Sequence, residues 1–230
     1  MSRPAAAVAY AAILFAPAAP AEAQAPAPTP RDRIARALTA MGGEQAVRGL
    51  TTLSLEFYGA NVALGQEETP ESPARTITVA GRTTTDYARS RRVTSVELRN
   101  PAGAVNRQRR VTEGGIGLLE TNGRFAPDGP GAVAGVETSM RRDPERLLLA
   151  AFDNPATLSP LPPKRWRGQP HDGVRYRGRD TLDLYFDRPT GLLTVIEAVT
   201  EDGILGDRRT VTWYTRWQDA GGVSFARQYD

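Results

Sequence analysis

The sequence predicts an α+β protein that is mostly antiparallel β-sheet, and three observations lead to this prediction. The last third of the chain holds five apolar-rich segments separated by short turns. Because short turns join antiparallel neighbours, these segments are expected to form a meander. Residues 53–112 contain further short segments of strand character, and residues 30–41 and 144–152 have the apolar spacing of helices.

The first helix is expected to begin after Thr29, which can cap it, with Pro30 at the first helical position. From Ile34 onward, apolar residues recur at i, i+4 and i+7, which gives the helix a single apolar face. Gly42-Gly43 ends this helix, and residues 44–48 are expected to add one more turn. The amphipathic pattern predicts that the helix lies against a sheet.

Strands are expected next, because from Leu53 the apolar residues alternate with polar ones as far as Tyr58. Residues 66–73 and 126–135 are rich in proline, glycine or polar residues and are predicted to be loops. Further short strands are predicted at residues 76–79, 83–87, 93–98 and 108–112.

A second helix is predicted over residues 144–152, since Asp143-Pro144-Glu145 is a typical helix start and Asn154-Pro155 ends it. Residues 158–169 contain several prolines and are predicted to be an irregular connector. The closing meander is predicted from five segments, with Pro and Gly supplying the turn chemistry between them: Gly173–Arg177, Thr181–Phe186, Leu192–Val199, Arg208–Trp217 and Val223–Tyr229.

The N-terminal residues predict export. A short basic start, a charge-free apolar run over residues 5–16 and Ala21-Glu22-Ala23 together have the layout of a secretory signal peptide over residues 1–23. The apolar run is shorter than the roughly 20 residues that a membrane span needs. We therefore expect a linker over residues 24–29 and one domain over residues 30–230. The mature protein is expected to be periplasmic or secreted, and soluble, with no integral membrane segment.

The composition argues against catalysis of the commonest kinds. The chain has no cysteine and one histidine, so the usual zinc centres and most nucleophile–histidine arrangements lack their residues. The context of His171 predicts a surface loop, and Asp183 is expected to face solvent because it alternates with apolar neighbours. A net charge of +3 is too small to indicate nucleic acid as a partner. We expect no enzyme, no metal and no cofactor.

Two segments carry a resemblance to a known family. Residues 37–59 resemble the first helix and strand of the LolA/LppX-like half-barrel superfamily. Residues 182–222 are similar to its closing strands, where Asp187 and Thr190-Gly191-Leu192 form a turn and a later aromatic strand precedes Gly221-Gly222. The resemblance implies an incomplete antiparallel barrel with two or three helices against its open face.

The resemblance also implies a function. Members of this superfamily often hold an acyl chain or the lipid of a lipoprotein in a concave apolar interior, so a lipid or another hydrophobic molecule is the expected ligand. The N-terminal part additionally resembles a region that precedes metallo-β-lactamase-fold hydrolases in some secreted bacterial proteins. The alternative is therefore an accessory domain of such a hydrolase, separated from its catalytic part, with the hydrolase as partner.

Candidate contact residues follow from the half-barrel. Arg89, Arg91 and Arg92 lie in an arginine-rich region and are candidates for contact with a lipid headgroup or a partner, or else are exposed strand residues that block edge pairing. The strand residues expected to line the interior could equally form a packed core. They are Leu53, Leu55, Phe57, Ile77, Val79, Leu184, Phe186, Ile196, Val211 and Trp213.

Overall fold

A computed structural model describes residues 27–63, 69, 72, 75–202 and 206–229. The predicted signal peptide over residues 1–23 lies outside these residues, as does most of the predicted loop over residues 66–73. Within the described part, four α-helices precede or separate two groups of strands: α1 Pro30–Ala40, α2 Glu44–Gly49, α3 Pro130–Arg142 and α4 Pro144–Asp153. A short 3₁₀ turn, Pro155–Thr157, follows α4.

The first six-stranded sheet, sheet 1, is an antiparallel meander whose strands lie in the order of the sequence. Its strands are β1 Thr52–Ala63, β2 Arg75–Asp86, β3 Arg91–Arg99, β4 Val105–Glu113, β5 Ile116–Thr121 and β6 Arg124–Pro127. The strands predicted at 76–79 and 83–87 form a single long strand, β2, because Gly81 pairs with both Phe57 and Val96 and does not interrupt the ladder.

The second six-stranded sheet, sheet 2, contains the closing meander, and all five strands predicted there are confirmed. Its strands are β7 Leu158–Trp166, β8 Gln169–Arg177, β9 Thr181–Asp187, β10 Leu193–Asp202, β11 Gly206–Ala220 and β12 Val223–Tyr229. The turn after β9 forms as its sequence predicts, with the Asp187 carboxylate accepting from the amide and hydroxyl of Thr190 at 3.0 and 2.7 Å.

Two predictions about irregular segments are wrong. Residues 158–169 contain β7 and the β7–β8 turn, because β7 is an edge strand and the unpaired side of an edge strand tolerates proline. Residues 126–135 contain the end of β6 and the start of α3, because Pro130 occupies a first-turn position in the helix and Val133 of α3 packs on Gly117 of β5.

The main hydrophobic core lies between sheet 2 and helices α1, α2 and α4. Its largest fully buried side chains include Ile34 and Leu38 of α1, Leu148 of α4, and Leu182 and Leu184 of β9. The predicted start of α1 is confirmed in detail, since the Thr29 and Asp32 side chains cap each other's backbone amides in a capping box. On sheet 1, α3 packs on β4 and β5.

The predicted fold class is confirmed. The chain is mostly antiparallel β, and its described strands form two open sheets lined by helices, an incomplete barrel rather than a closed one. None of the helices in the described ranges has the length and apolarity that a membrane span requires.

Candidate apolar binding face

The ten apolar residues predicted to line one interior divide among three places. We call the helix-bearing side of each sheet its inner face and the opposite side its outer face. Leu53, Leu55, Phe57, Ile77 and Val79 lie on the inner face of sheet 1, Leu184, Phe186 and Ile196 lie in the core under the helices, and Val211 and Trp213 lie on the outer face of sheet 2. Val211 and Trp213 therefore lie outside the predicted lining, whereas Leu53 packs against the core that contains Leu184, Phe186 and Ile196.

Val211 and Trp213 point away from the core because the register alternates. Trp213 pairs with Val195, and Val211 with Glu197, whereas the neighbouring Ile196 faces the helices. Trp213 instead packs edge-on against Trp166, with ring centroids 4.9 Å apart.

A compact polar and aromatic cluster covers this part of the outer face of sheet 2. Trp166 also meets Tyr185 edge-on at 5.7 Å, and Lys164 Nζ lies 3.9 Å from the centroid of the Trp166 ring. Lys164 contacts both carboxylate oxygens of the buried Glu197 at 3.2 Å, and Arg209 pairs with the same carboxylate. Burial lowers the pKa of Lys164, and the positive charge of Arg209 lowers it further.

The predictions for His171 and Asp183 have different outcomes. The prediction that His171 is a surface residue is wrong, because it is buried on β8 with Nδ1 2.9 Å from the carbonyl oxygen of Gln169. The turn that its sequence context suggested lies earlier, at Arg167-Gly168. Asp183 does face away from the core, although it is half-buried and forms a two-point ion pair with Arg175 at 2.6 and 2.8 Å.

The inner face of sheet 1 carries the feature that is most open to a ligand. Leu55 is 42% exposed and Phe57 is 37% exposed, although both lie on the side of the sheet where the helices pack. Half-buried apolar side chains from β2 and β3 continue the same face. We call this set the inner strip, and it consists of Leu55, Phe57, Ile77, Val79, Val96 and Leu98.

Phe57 lies in the middle of the inner strip. An added Cβ at Gly81 would lie 2.6 Å from the Phe57 ring, so this ring lies across the glycine of the neighbouring strand. Val96 pairs with Gly81 on its other side, and Val79 pairs with Leu98 in the next row. The sequence predicted the strand that contains Val96 and Leu98 but did not single them out, although their alternation with polar residues was visible.

The inner strip is bordered by neutral polar side chains. Thr83 pairs with Leu55 in the register, and Thr94 pairs with Thr83 on its other side. The hydroxyl oxygens of the two threonines are 3.1 Å apart. Gln108 and Asn106 of β4 lie beside Val96 and Leu98 in the register. An elongated apolar ligand on the strip would therefore meet amide and hydroxyl groups along these edges.

At the helix-covered end of the strip, Arg92 joins sheet 1 to the junction of α3 and α4. Its guanidinium donates to the hydroxyls of Thr85 and Ser139 at 2.9 Å each and forms an ion pair with Asp143. Arg92 is thus largely buried and engaged, which leaves it a poor candidate for headgroup contact. Arg91 pairs with Glu113 at 3.4 Å, and Arg89 is exposed in the β2–β3 turn.

The buried Glu145 completes this polar cluster. The hydroxyl of Tyr87 donates to Glu145, and it also lies 3.3 Å from Asp143 Oδ2. Arg146 stacks over the Tyr87 ring at 3.9 Å and donates to the carbonyl oxygen of Leu50. Burial raises the pKa of the Tyr87 hydroxyl and, together with the charge of Glu145, raises the pKa of Asp143 to about 7 in spite of Arg92.

The raised pKa of Asp143 predicts a pH dependence of stability. The folded state binds a proton that the unfolded state releases near pH 3.8, so the contribution of Asp143 is fully present below about pH 4 and is lost as the pH rises through about 7. We expect the unfolding free energy of the wild type, relative to Asp143→Asn, to fall between pH 4 and pH 8. Each unit of pKa shift corresponds to about 1.4 kcal/mol. Urea unfolding of both proteins at pH 4 and pH 8 measures this change. A difference in unfolding free energy between wild type and Asp143→Asn that is the same at both pH values would contradict the prediction.

Within the described ranges, no three His, Asp or Glu side chains lie close enough together to hold a metal ion. The geometry thus defines an open, helix-lined antiparallel sheet with an exposed apolar strip on its inner face.

Comparisons with known proteins give little beyond this description. No known protein family and no curated protein matches the chain in sequence. Similar solved structures include the complex of MucA and MucB from Pseudomonas aeruginosa, with 16% identity, a TM-score of 0.24, and coverage of 75% of this chain and 52% of that chain. Another is MucB in complex with MucA(peri), with 16% identity, a TM-score of 0.24, and coverage of 85% of this chain and 61% of that chain. The chain thus spans less than two thirds of those chains, and at this TM-score the likeness says nothing about what it binds.

Proposed function

We propose that this chain is an exported, periplasmic binding or carrier protein that holds the acyl chain of a lipid on the inner strip, without catalysis of its own. The observation that carries the proposal is the exposure of Leu55 and Phe57 on the side of sheet 1 where helices pack. The export layout of residues 1–23 supports the location. No structural feature of the described residues favours the alternative of a hydrolase accessory domain, which stays a prediction from the sequence.

The energetics suit an acyl chain. Each methylene group that leaves water contributes about 0.8 kcal/mol, so a chain of about ten methylenes supplies about 8 kcal/mol before the cost of ordering it. The inner strip consists of aliphatic and aromatic side chains and carries no charged side chain that would have to be desolvated.

Replacing Leu55 or Phe57 by serine should weaken the binding of a fluorescent fatty acid about three- to eightfold. Full burial of such a side chain contributes about 1.5–3 kcal/mol, and a ligand would bury the roughly 40% that is exposed, which gives about 0.6–1.2 kcal/mol. Both residues are already partly exposed, so the fold should persist in each variant. Fluorescence titration measures the affinity, and urea unfolding checks the fold.

Tyr58→Ser is the matched control. Tyr58 is next to Phe57 in the sequence, lies on the outer face and is 90% exposed, so its loss should leave the affinity unchanged. Native mass spectrometry of protein purified from a lysate that contains membranes should show bound lipid in the wild type and less in the double variant Leu55→Ser/Phe57→Ser. A wild type that carries no lipid and binds no fatty acid would overturn the proposal.

A further inference from the structure

The strand β1 is a sheet edge without the usual protection against pairing with a further strand. It has 12 residues, and among the strands in the described ranges it pairs with β2 alone. It contains no proline, lysine or arginine, and its one charged residue, Glu56, forms an ion pair with Arg82 of its own sheet. An edge of this length presents a row of free N–H and C=O groups, which favours the addition of another strand.

The other edges of the two described sheets are protected. The strand β6 has only 4 residues and includes Pro127, and β7 contains three prolines. On β12, the amide of Ser224 donates to the carbonyl oxygen of Met41 at 2.9 Å, so the residue that follows α1 occupies part of that edge. Among these edges, β1 is therefore the one that is open to a further strand.

The register of β1 and β2 shows which backbone groups of β1 are free. The amide of Tyr87 donates to the carbonyl oxygen of Thr51 at 2.8 Å, and the pairing continues from there along β1 without a shift. Because backbone groups alternate in direction along an antiparallel strand, the even-numbered residues of β1 direct their N–H and C=O groups to the free edge. The β11–β12 turn lies across a pocket from the first residues of β1. We call residues 54–62, which lie beyond that turn, the open stretch.

The open stretch is complementary to a second copy of itself in the antiparallel direction. Its midpoint is Tyr58, and a two-fold axis at this residue places Phe57 opposite Gly59 of the second copy and Glu56 opposite Ala60 of the second copy. Large side chains thus meet small ones, and an aromatic ring covers a glycine across the strands. The two Glu56 residues stay about 13 Å apart along the strand, so like charges do not face each other.

Exposed side chains at this edge would gain cross-strand neighbours. On the outer face, Tyr58 is 90% exposed and Val62 is 53% exposed. The same two-fold axis brings the two Tyr58 rings together and places Val62 opposite Ser54, and aromatic cross-strand pairs stabilise antiparallel sheets. The five even-numbered residues of the open stretch supply an N–H and a C=O group in each copy, so two copies form about ten backbone hydrogen bonds, as many as a typical specific interface contains.

We propose that two copies of this protein pair through the open stretch of β1 and join their first sheets into one continuous antiparallel sheet. The match of size and charge between the two halves of the open stretch favours a second copy over an unrelated strand. The two-fold axis is perpendicular to the sheet, so both inner faces lie on the same side and the two inner strips adjoin. Each copy keeps its own complete inner strip, so the dimer does not depend on a bound acyl chain.

Sedimentation velocity of the purified protein tests for the dimer. The wild type should shift from monomer to dimer as its concentration rises. Ala60→Pro removes a free-edge N–H group from each copy and leaves the ladder with β2 intact, so it should raise the dissociation constant of the dimer about tenfold or more. Tyr58→Ser should also weaken the dimer, whereas Phe125→Ser, an aromatic residue that is 65% exposed on β6, should not. Urea unfolding checks that each variant is folded.

Disulfide cross-linking tests the register. The chain has no cysteine, so Tyr58→Cys introduces a single thiol. In the dimer, the two Cα atoms at this position form a hydrogen-bonded pair about 5.5 Å apart, which is within the range of a disulfide. Ala60→Cys is the matched control on the same edge, because its two copies lie about 13 Å apart along the strand. Mild oxidation should link Tyr58→Cys into a covalent dimer and leave Ala60→Cys unlinked.

Several results would refute the dimer. One is a wild type that stays monomeric at high micromolar concentrations, including one whose β1 pairs with a different polypeptide. Another is a dimer that Ala60→Pro and Tyr58→Ser leave unchanged, and a third is equal cross-linking of Tyr58→Cys and Ala60→Cys. Fatty-acid titration of Tyr58→Ser separates this proposal from the ligand proposal, because a monomeric variant should keep the affinity of the wild type.

Discussion

Replacing Gly42 by alanine should lower the free energy of unfolding by about 3–5 kcal/mol, one of the two largest effects that we expect from single substitutions. Gly42 ends α1 with φ of +111°, a conformation that side chains other than glycine rarely adopt. An added Cβ would also lie 2.1 Å from the carbonyl oxygen of Gly222 in the β11–β12 turn. This oxygen belongs to the backbone, so the turn and the end of α1 would have to separate.

That separation would disturb the core. The carbonyl oxygen of Met41 accepts from the backbone amide of Ser224 at 2.9 Å, and the flanking Val223 and Phe225 are buried core residues. Gly43→Ala is the matched control, because Gly43 has φ of +104° but open space around its Cβ position. Gly43→Ala should lower the free energy of unfolding only by the backbone strain, about 1–2 kcal/mol. Urea unfolding measures the stability of both variants. Equal losses of unfolding free energy would show that the close approach of Gly42 to the carbonyl oxygen of Gly222 contributes nothing.

Replacing Arg92 by methionine should lower the free energy of unfolding by about 3–5 kcal/mol, because one charged partner is removed from a buried pair. Asp143 would keep its burial but lose its cation, with the buried Glu145 close by. The hydroxyls of Thr85 and Ser139 would also lose a donor. The loss should be greater at pH 8 than at pH 5, since protonated Asp143 no longer needs a cation.

Arg91→Met provides the comparison in the same strand. Arg91 faces the other side of β3, and its ion pair with Glu113 is exposed, so we expect a change of about 0–1 kcal/mol. Urea unfolding at pH 5 and pH 8 measures both variants. Similar losses for Arg91→Met and Arg92→Met would show that the buried cluster does not stabilise the junction of α3 and α4 with sheet 1.

The exposed inner strip gives sheet 1 a different role from sheet 2. The inner face of sheet 2 is filled by α1, α2 and α4, so Leu184, Phe186 and Ile196 act as core. In sheet 1, α3 packs on β4 and β5, and Leu55 and Phe57 of the inner strip stay partly exposed.

Local chemistry explains why some elements could be predicted. Thr29 and Asp32 satisfy the free amides of α1 using their own side chains, and the Asp187–Thr190 turn closes through contacts within four residues. The prolines of β7 and the glycines before α3 had the opposite effect. These residues favour loops in isolation. The edge position of β7 overrides that preference for its prolines, and the packing of α3 on β5 overrides it for the glycines.

The sequence by itself determined the ends of α1 and α4, the closing meander and the antiparallel class, because these depend on composition and on neighbours along the chain. Only the tertiary structure decided which apolar residues are core and which are exposed. Alternation assigns a residue to one of two faces of a strand, but it does not say whether a helix covers that face. Leu184 and Phe57 have the same strand pattern, and the difference between them is that α1 and α4 reach sheet 2 and leave the inner strip open.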